Sequence, residues 1–208
     1  HPVPGAPFHL TKFVDAVIIN AGDGTHEHPT QGLLDMMSLV ETFGKVDGLK
    51  VAIIGDVLHS RVAMSNIIGL KTMGAEVTLC GPPTLIPVNI DELGVNVSFN
   101  LDEVLKWADA VNVLRIQRER QGVHYIPSIR EYRSLFGITR ERVAALDKEL
   151  TIMHPGPMNR GVEIDSDVAD SENAIILDQV LNGVAIRMSV LFHLLGEKST
   201  ESTKEAQA

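Results

Sequence analysis

Val51-Ala-Ile-Ile-Gly-Asp-Val-Leu-His-Ser-Arg61 decides the fold. Its first four residues form an unbroken apolar run, too short for a helix and without the alternation of a half-exposed strand. Such a run reads as a strand covered on both faces, as in a parallel sheet. From Arg61 the apolar spacing turns helical and continues to Met73, where Gly74 supplies a helix-ending turn. The same unit recurs along the chain. Strands are expected at Ala16–Asn20, Val51–Gly55, Glu76–Cys80, Val95–Phe99, Ala110–Leu114 and Leu150–His154. Gln31–Phe43 is expected as a helix, with Leu33, Leu34, Met36, Met37 and Val40 at helical spacing and Gly44 beyond its end. Leu101–Ala108 follows an N-cap at Asn100 with Glu103 in the first turn, and Thr139-Arg-Glu-Arg opens a further short helix. This alternation predicts an α/β domain, a doubly wound parallel sheet with helices on both faces.

The last helix, roughly Glu172–Leu195, is apolar on more than one side and so expects partners on two sides. One partner is this domain; the other has no provider in these residues. Residues 197–208 are polar and read as a disordered tail.

The chain has 208 residues, 44% hydrophobic and 22% charged, enough to bury a core of one large domain or one and a half small ones. A formal charge of -9 excludes nucleic acid as the expected partner, because phosphate selects basic surfaces. The single cysteine, Cys80, excludes an intrachain disulfide framework and fits a reducing cytoplasm. It lies in an apolar stretch and reads as a buried structural thiol rather than a nucleophile. No unbroken apolar run reaches the ~18 to 20 residues of a membrane helix, so no membrane is expected. The opening His1-Pro2-Val3-Pro4-Gly5 lacks the pattern of a signal peptide and reads as mid-domain sequence.

In doubly wound folds ligands sit beyond the carboxyl ends of the strands. Four such junctions carry polar clusters. Asn20-Ala-Gly-Asp-Gly-Thr-His-Glu-His28-Pro-Thr-Gln31 leads into a helix, which puts the His28 imidazole and the Gln31 amide at its N-terminus. Free N–H groups there favour negative ligand atoms. The same residues also suit a plain glycine turn with a cap. A zinc site at His26 and His28 is disfavoured, since the spacing is wrong and no second ligand pair follows. Gly55-Asp-Val-Leu-His-Ser-Arg61 opens a helix with a cation, which either faces an anion or reaches solvent. The absence of Gly-x-Gly-x-x-Gly excludes the usual dinucleotide turn. Arg115 and Gln117 share one face after a strand, and a guanidinium beside an amide suits a carboxylate. Arg118, Glu119 and Arg120 read as a solvated loop. His154-Pro-Gly-Pro157 is stiff and donor-poor, with carbonyls that can accept from an amino group or simply form a rigid turn.

Together, and in this order, the four clusters resemble the aspartate/ornithine carbamoyltransferase family over essentially the whole chain except the tail. His154-Pro-Gly-Pro157 stands where the ornithine branch carries His-Cys-Leu-Pro, so the resemblance is to the aspartate branch. It implies transfer of a carbamoyl group from carbamoyl phosphate to the amine of L-aspartate, with no metal and no organic cofactor. His28 would bind the carbamoyl oxygen and stabilise the oxyanion, and Gln31 would hold the carbamoyl amino group with the carbonyls of Gly156 and Pro157. Arg61 would take the α-carboxylate of aspartate. Arg115, oriented with Gln117, would take the β-carboxylate.

The family's N-terminal domain, with its Ser-x-Arg-Thr-Arg phosphate loop, is not in this sequence. On this reading residues 1–30 are a remnant of that carbamoyl-phosphate domain and 31–170 form the aspartate-binding α/β domain. Residues 171–196 form the helix that packs back on the N-terminal domain, and 197–208 the tail. The resemblance further implies a homotrimer in which a neighbour completes the site, and leaves a regulatory chain or a dihydroorotase as partners. An isolated binding domain without catalysis and an ornithine-type transferase remain the competing readings.

Overall fold

The computed structural model describes residues 1–117 and 125–205, the stretch 197–205 by its backbone alone. Five strands, β1 (Lys50–Ile54), β2 (Glu76–Cys80), β3 (Asn96–Ser98), β4 (Ala110–Val113) and β5 (Thr151–Met153), form one parallel sheet. Their order is β3-β2-β1-β4-β5. The chain therefore winds outward from β1 to β3, returns to the other side of β1, and winds outward again. The crevice beyond the carboxyl ends of β1 and β4 is the topological switch point, where such sheets bind ligands.

Both faces of the sheet are covered, as the apolar runs require. Val51 and Ile53 of β1 pack with Met36, Leu39, Ile67 and Leu70 on one side. Ala52 and Ile54 pack with Val104, Leu105, Tyr132 and Phe136 on the other. The alternation is that of side chains along a strand. The first layer belongs to helices α2 (Pro29–Phe43) and α3 (Arg61–Thr72), the second to α4 (Leu101–Trp107) and α5 (Ile129–Phe136). A five-residue α1 (Ala6–Leu10) precedes them, and α6 (Arg140–Ala144), α7 (Ser166–Ala169) and α8 (Ile176–Glu205) follow. The caps are those written in the sequence. Pro29 opens α2 and left-handed Gly44 ends it; the side chains of Asn100 and Thr139 accept from Glu103 N and Arg142 N.

Three expectations are corrected. Ala16–Asn20 is not a strand: it is partly exposed and joins no ladder among the described residues. An apolar run makes a strand only where a sheet edge receives it, and this one precedes α2 without reaching β3 or β5. The last helix begins at Ile176, not near Glu172, because residues 173–175 first run beside β5. There Ile152 N donates to Asn173 O and Ile175 N to Ile152 O, both at 2.9 Å. The helix then continues to Glu205 through the stretch read as a disordered tail. Propagating an existing helix through Glu, Lys and Ser costs little.

Helix α8 packs on α2 along one side only, through Gln179, Asn182 and Gly183, while Ile176 joins the core cluster on the other face of the sheet. Leu177, Val180, Leu181, Val184, Met188 and Phe192 are exposed, Leu177 to 82%. The segment Ile176–Gly196 has a mean hydropathy of 1.2, so by length and composition it reaches the range of a membrane span. The expectation drawn from unbroken runs missed it because Asp178, Gln179, Asn182 and Arg187 interrupt the run. Those side chains are costly in hydrocarbon, and Asn182 is bonded to Ser38 and Glu41 of α2.

Candidate functional site

The loop before α2 is organised around a buried carboxylate. Asp23 accepts from the side chains of Asn20 and His26 and from the backbone N–H groups of Gly5 and Glu27, at 2.6–3.1 Å. Burial alone would raise its pKa, but these donors outweigh it and hold Asp23 at about 2. His26 is thereby paired with Asp23. The described residues hold no group of three His, Cys, Asp or Glu side chains able to bind a metal.

His28 ends that loop as the N-cap of α2, with its backbone N–H on Ser65 Oγ of α3 at 2.8 Å. Its half-buried ring is pushed down to about 4, first by burial and then by the positive charges of Arg61 and Arg187. The imidazole is therefore neutral at neutral pH. Thr30 Oγ1 lies 3.4 Å from Nδ1. If that hydroxyl donates, the ring proton sits on Nε2, the tautomer that donates outward.

One turn further, Gln31 faces a cavity of about 230 Å³ whose lining includes His154, Pro155, Gly156, Gln179 and Arg187. Its Nε2 donates to Asp35 Oδ1 at 2.9 Å. Asp35 is fully buried and also accepts from the amides of Asn66 (2.7 Å), Asn112 (3.2 Å) and Gln179 (2.7 Å). One carboxylate thus joins α2, α3, β4 and α8. Burial pushes its pKa up to about 6 against the pull of the four amides. On the opposite wall, Gln179 Oε1 accepts from His154 N and His154 Nδ1 accepts from Gly156 N, both at 2.9 Å. An accepting Nδ1 puts the ring proton on Nε2, which faces the buried Glu163 at 3.5 Å.

Arg61, the first residue of α3, lines a second cavity of about 580 Å³ with His1, Gly24, Thr25 and His59. Its guanidinium packs flat on Gly22. Arg115 and Gln117 follow β4, both half-buried, with the buried Ile116 between them. Gln117 Nε2 donates to His59 O at 3.4 Å, and His59 Nδ1 is 2.8 Å from the buried Asp56. Tyr125 meets His59 edge-on.

The structure thus brings Gln31 and Gly156 to one cavity, Arg61 to a second, and His28 under the charges of both Arg61 and Arg187. Pro157 is outside the first cavity's lining, where Pro155 stands beside Gly156. Arg118, Glu119 and Arg120 lie outside the described residues. Sequence reasoning missed Asp35, Gln179 and Arg187. The available signal was polar residues recurring at helical spacing, Gln31, Asp35 and Ser38 on α2 and Gln179 and Asn182 on α8, which the fold buries against one another. A larger cavity, about 960 Å³, lies elsewhere among Pro82, Phe99, Tyr125, Leu135 and Phe136. Arg142 in its wall is already bonded to Asp102, Gly137 O and Ser134 O, so size does not mark the site.

The model of the family described as aspartate/ornithine carbamoyltransferase, Asp/Orn binding domain, matches residues 47–194. The chain is 61% identical over 194 residues to the aspartate carbamoyltransferase catalytic subunit of Christiangramia forsetii, covering 93% of this chain and 63% of that one. It is 60% identical to the corresponding subunit of Cytophaga hutchinsonii, over 95% of this chain and 64% of that one. Among solved structures it resembles the aspartate transcarbamoylase of Trypanosoma cruzi in complex with carbamoyl phosphate. The TM-score is 0.83 at 29% identity, covering 94% of this chain and 64% of that one. The chain therefore spans a little under two thirds of the length of these relatives. Its residues 47–194 match the domain so described, and the chain belongs to the aspartate/ornithine carbamoyltransferase family.

Proposed function

We propose that the chain serves the transfer of the carbamoyl group of carbamoyl phosphate to the amine of L-aspartate, a step of pyrimidine biosynthesis that yields N-carbamoyl-L-aspartate and phosphate. One observation carries this reading: a neutral His28 at a helix N-terminus, flanked by an amide-lined cavity and by Arg61. Relatives at 61% and 60% identity bear the matching name.

The amine nitrogen attacks the carbamoyl carbon, the carbon–oxygen bond to phosphorus breaks, and phosphate leaves with the electron pair while the amine loses a proton. His28 donates to the carbamoyl oxygen as negative charge develops there. A neutral donor suits this task, since an imidazolium would release its proton to the intermediate instead of only stabilising it. Gln31 accepts from the carbamoyl amino group, aided by the carbonyls of Gly156 and Pro157. Arg61 and Arg115, the latter oriented with Gln117, hold the two carboxylates of aspartate. Holding both reactants in place supplies much of the acceleration.

The phosphate cradle and the contacts of a homotrimer fall to the part of the relatives that this chain does not span. On this account residues 1–30 belong with that part, 31–170 bind aspartate, and the bare side of α8 packs against it. The single buried thiol, Cys80, pushed up to about 12 by burial, agrees with a cytoplasmic protein. Acceptor choice tests the assignment. Aspartate should be carbamoylated in preference to ornithine, and Arg115→Ala should raise the aspartate KM by about a hundredfold while sparing carbamoyl phosphate. Preference for ornithine, or an unchanged aspartate KM, would overturn it.

A further inference from the structure

Asp35 makes no contact with either proposed substrate, yet its bonding decides which end of Gln31 a substrate meets. A carboxylate only accepts hydrogen bonds, and four amide groups donate to this one. Gln31 must therefore turn its NH2 inward, which leaves Oε1 toward the cavity. The arrangement is not dictated from the other ends of the amides. Among the described residues Asn66 Oδ1 and Asn112 Oδ1 are buried without a partner, so both amides face Asp35 even though their own oxygens stay unbonded. The same logic runs to the opposite wall. Gln179 donates to Asp35 Oδ1, so its own Oε1 is the acceptor that takes the N–H of His154. That bond anchors the residue whose ring in turn holds Gly156 N.

We propose that Asp35 is a positioning residue that fixes the amide polarity of the cavity, so that its wall presents an acceptor and selects a group bearing N–H over one that does not. The inference rests on the proposed binding of carbamoyl phosphate in this cavity. It predicts a choice between two ligands of nearly the same shape: carbamoyl phosphate, with an amino group, and acetyl phosphate, with a methyl in its place.

The experiment measures both affinities in the protein active for carbamoyl transfer, with acetyl phosphate as a competitive inhibitor. In Asp35→Asn one oxygen replaces two and an NH2 faces the amides, so some of them must turn over. The preference for carbamoyl phosphate should fall at least about tenfold, the worth of one hydrogen bond. The double variant Asp35→Asn with Gln31→Glu keeps the charge and reverses the pair. The amide now at position 35 donates to the carboxylate now at position 31, whose second oxygen faces the cavity, and the preference should return in part, because Gln179 shares Oδ1 with Gln31 and must itself turn.

Asp35→Asn with its preference intact within about twofold overturns the positioning role alone. A wild-type protein that does not distinguish the two ligands overturns both this role and the reading of the cavity. Loss of folding in the variants leaves a measurement on the wild type. With [15N]glutamine labelling, the Gln31 NH2 held on Asp35 should exchange its protons at least about tenfold more slowly than an exposed glutamine amide. Equal exchange rates overturn the proposal.

Discussion

Gly22 lies flush against Arg61: a β-carbon at position 22 would stand 2.5 Å from the guanidinium carbon Cζ. No real side chain fits there without moving the cation. The backbone at Gly22 also has φ +116, which L residues rarely adopt. Gly22→Ala should therefore displace Arg61 as well as strain the loop. We expect a rise of about tenfold in the aspartate KM and a loss of about 1–2 kcal/mol of stability. Steady-state kinetics and a denaturant melt on the same preparation check both. An unchanged KM would mean that Arg61 does not hold the substrate in this pose.

His28 is held neutral by burial and by two arginines, so its role should not titrate near pH 6.5. The acid limb assigned to His28 should instead fall near pH 4, and His28→Ala should lower turnover by about 10²–10³-fold with a smaller effect on aspartate affinity. A turnover number unaltered by the substitution contradicts the oxyanion role.

The arginine on α8 contributes to that depression. Arg187 Nη1 folds back on Gly183 O at 2.7 Å, and a β-carbon at Gly183 would stand 2.5 Å from Nη1. Glycine thus lets Arg187 lie along its own helix and keep its charge near the ring. Arg187→Gln should raise the His28 pKa from about 4 toward the ordinary histidine value, read by an NMR titration of the ring nitrogens. A pKa that stays put would assign the depression to burial and Arg61 alone.

Asp35 and His28 also oppose each other in stability. Asp35 has a raised pKa, so its contribution is fully present below about pH 4 and is lost as pH rises through about 6. His28 has a lowered pKa, so its contribution is present above about 6.5 and is lost as pH falls through about 4. Wild-type stability should change little between pH 4 and 6. His28→Ala should leave the Asp35 effect uncovered, so that its stability falls with rising pH across that window. Urea melts at several pH values check the sign.

Much of the fold was legible because its signals are local. The apolar run Val51–Ile54, the valines on either side of Asn112, and the caps at Asn100 and Thr139 report their own conformation. Among the proposed site residues legible in the sequence, Arg61, Arg115 and Gln117 follow the ends of β1 and β4, whereas His28 and Gln31 are placed by the loop around Asp23 and the start of α2. Pairing is not local, which is why Ala16–Asn20 read as a strand although no neighbour receives it. Helix α5 escaped notice because its eight residues bury only Tyr132 and Phe136. The Asp35 hub escaped because its donors come from positions as far apart as Gln31 and Gln179, and only the folded chain makes them neighbours.

The bare side of α8 gives a further expectation. Leu177, Val180, Leu181 and Val184 are more exposed than such residues are on a finished surface. Prepared alone, these 208 residues should self-associate, and Val180→Asp with Val184→Asp should reduce that association in analytical ultracentrifugation. The same pair should disable the transferase by disturbing the packing of α8. Full activity in that variant would mean that α8 covers nothing.

The central claim is carbamoyl transfer to aspartate, and the most direct measurement follows the transferred carbon. Carbamoyl phosphate labelled with 13C is incubated with the protein and with aspartate or ornithine, and the products are read by NMR. The account predicts a labelled ureido carbon on N-carbamoyl-L-aspartate, formed in step with free phosphate and lost in His28→Ala. Label appearing on ornithine, or aspartate left unlabelled while phosphate is released, would contradict it.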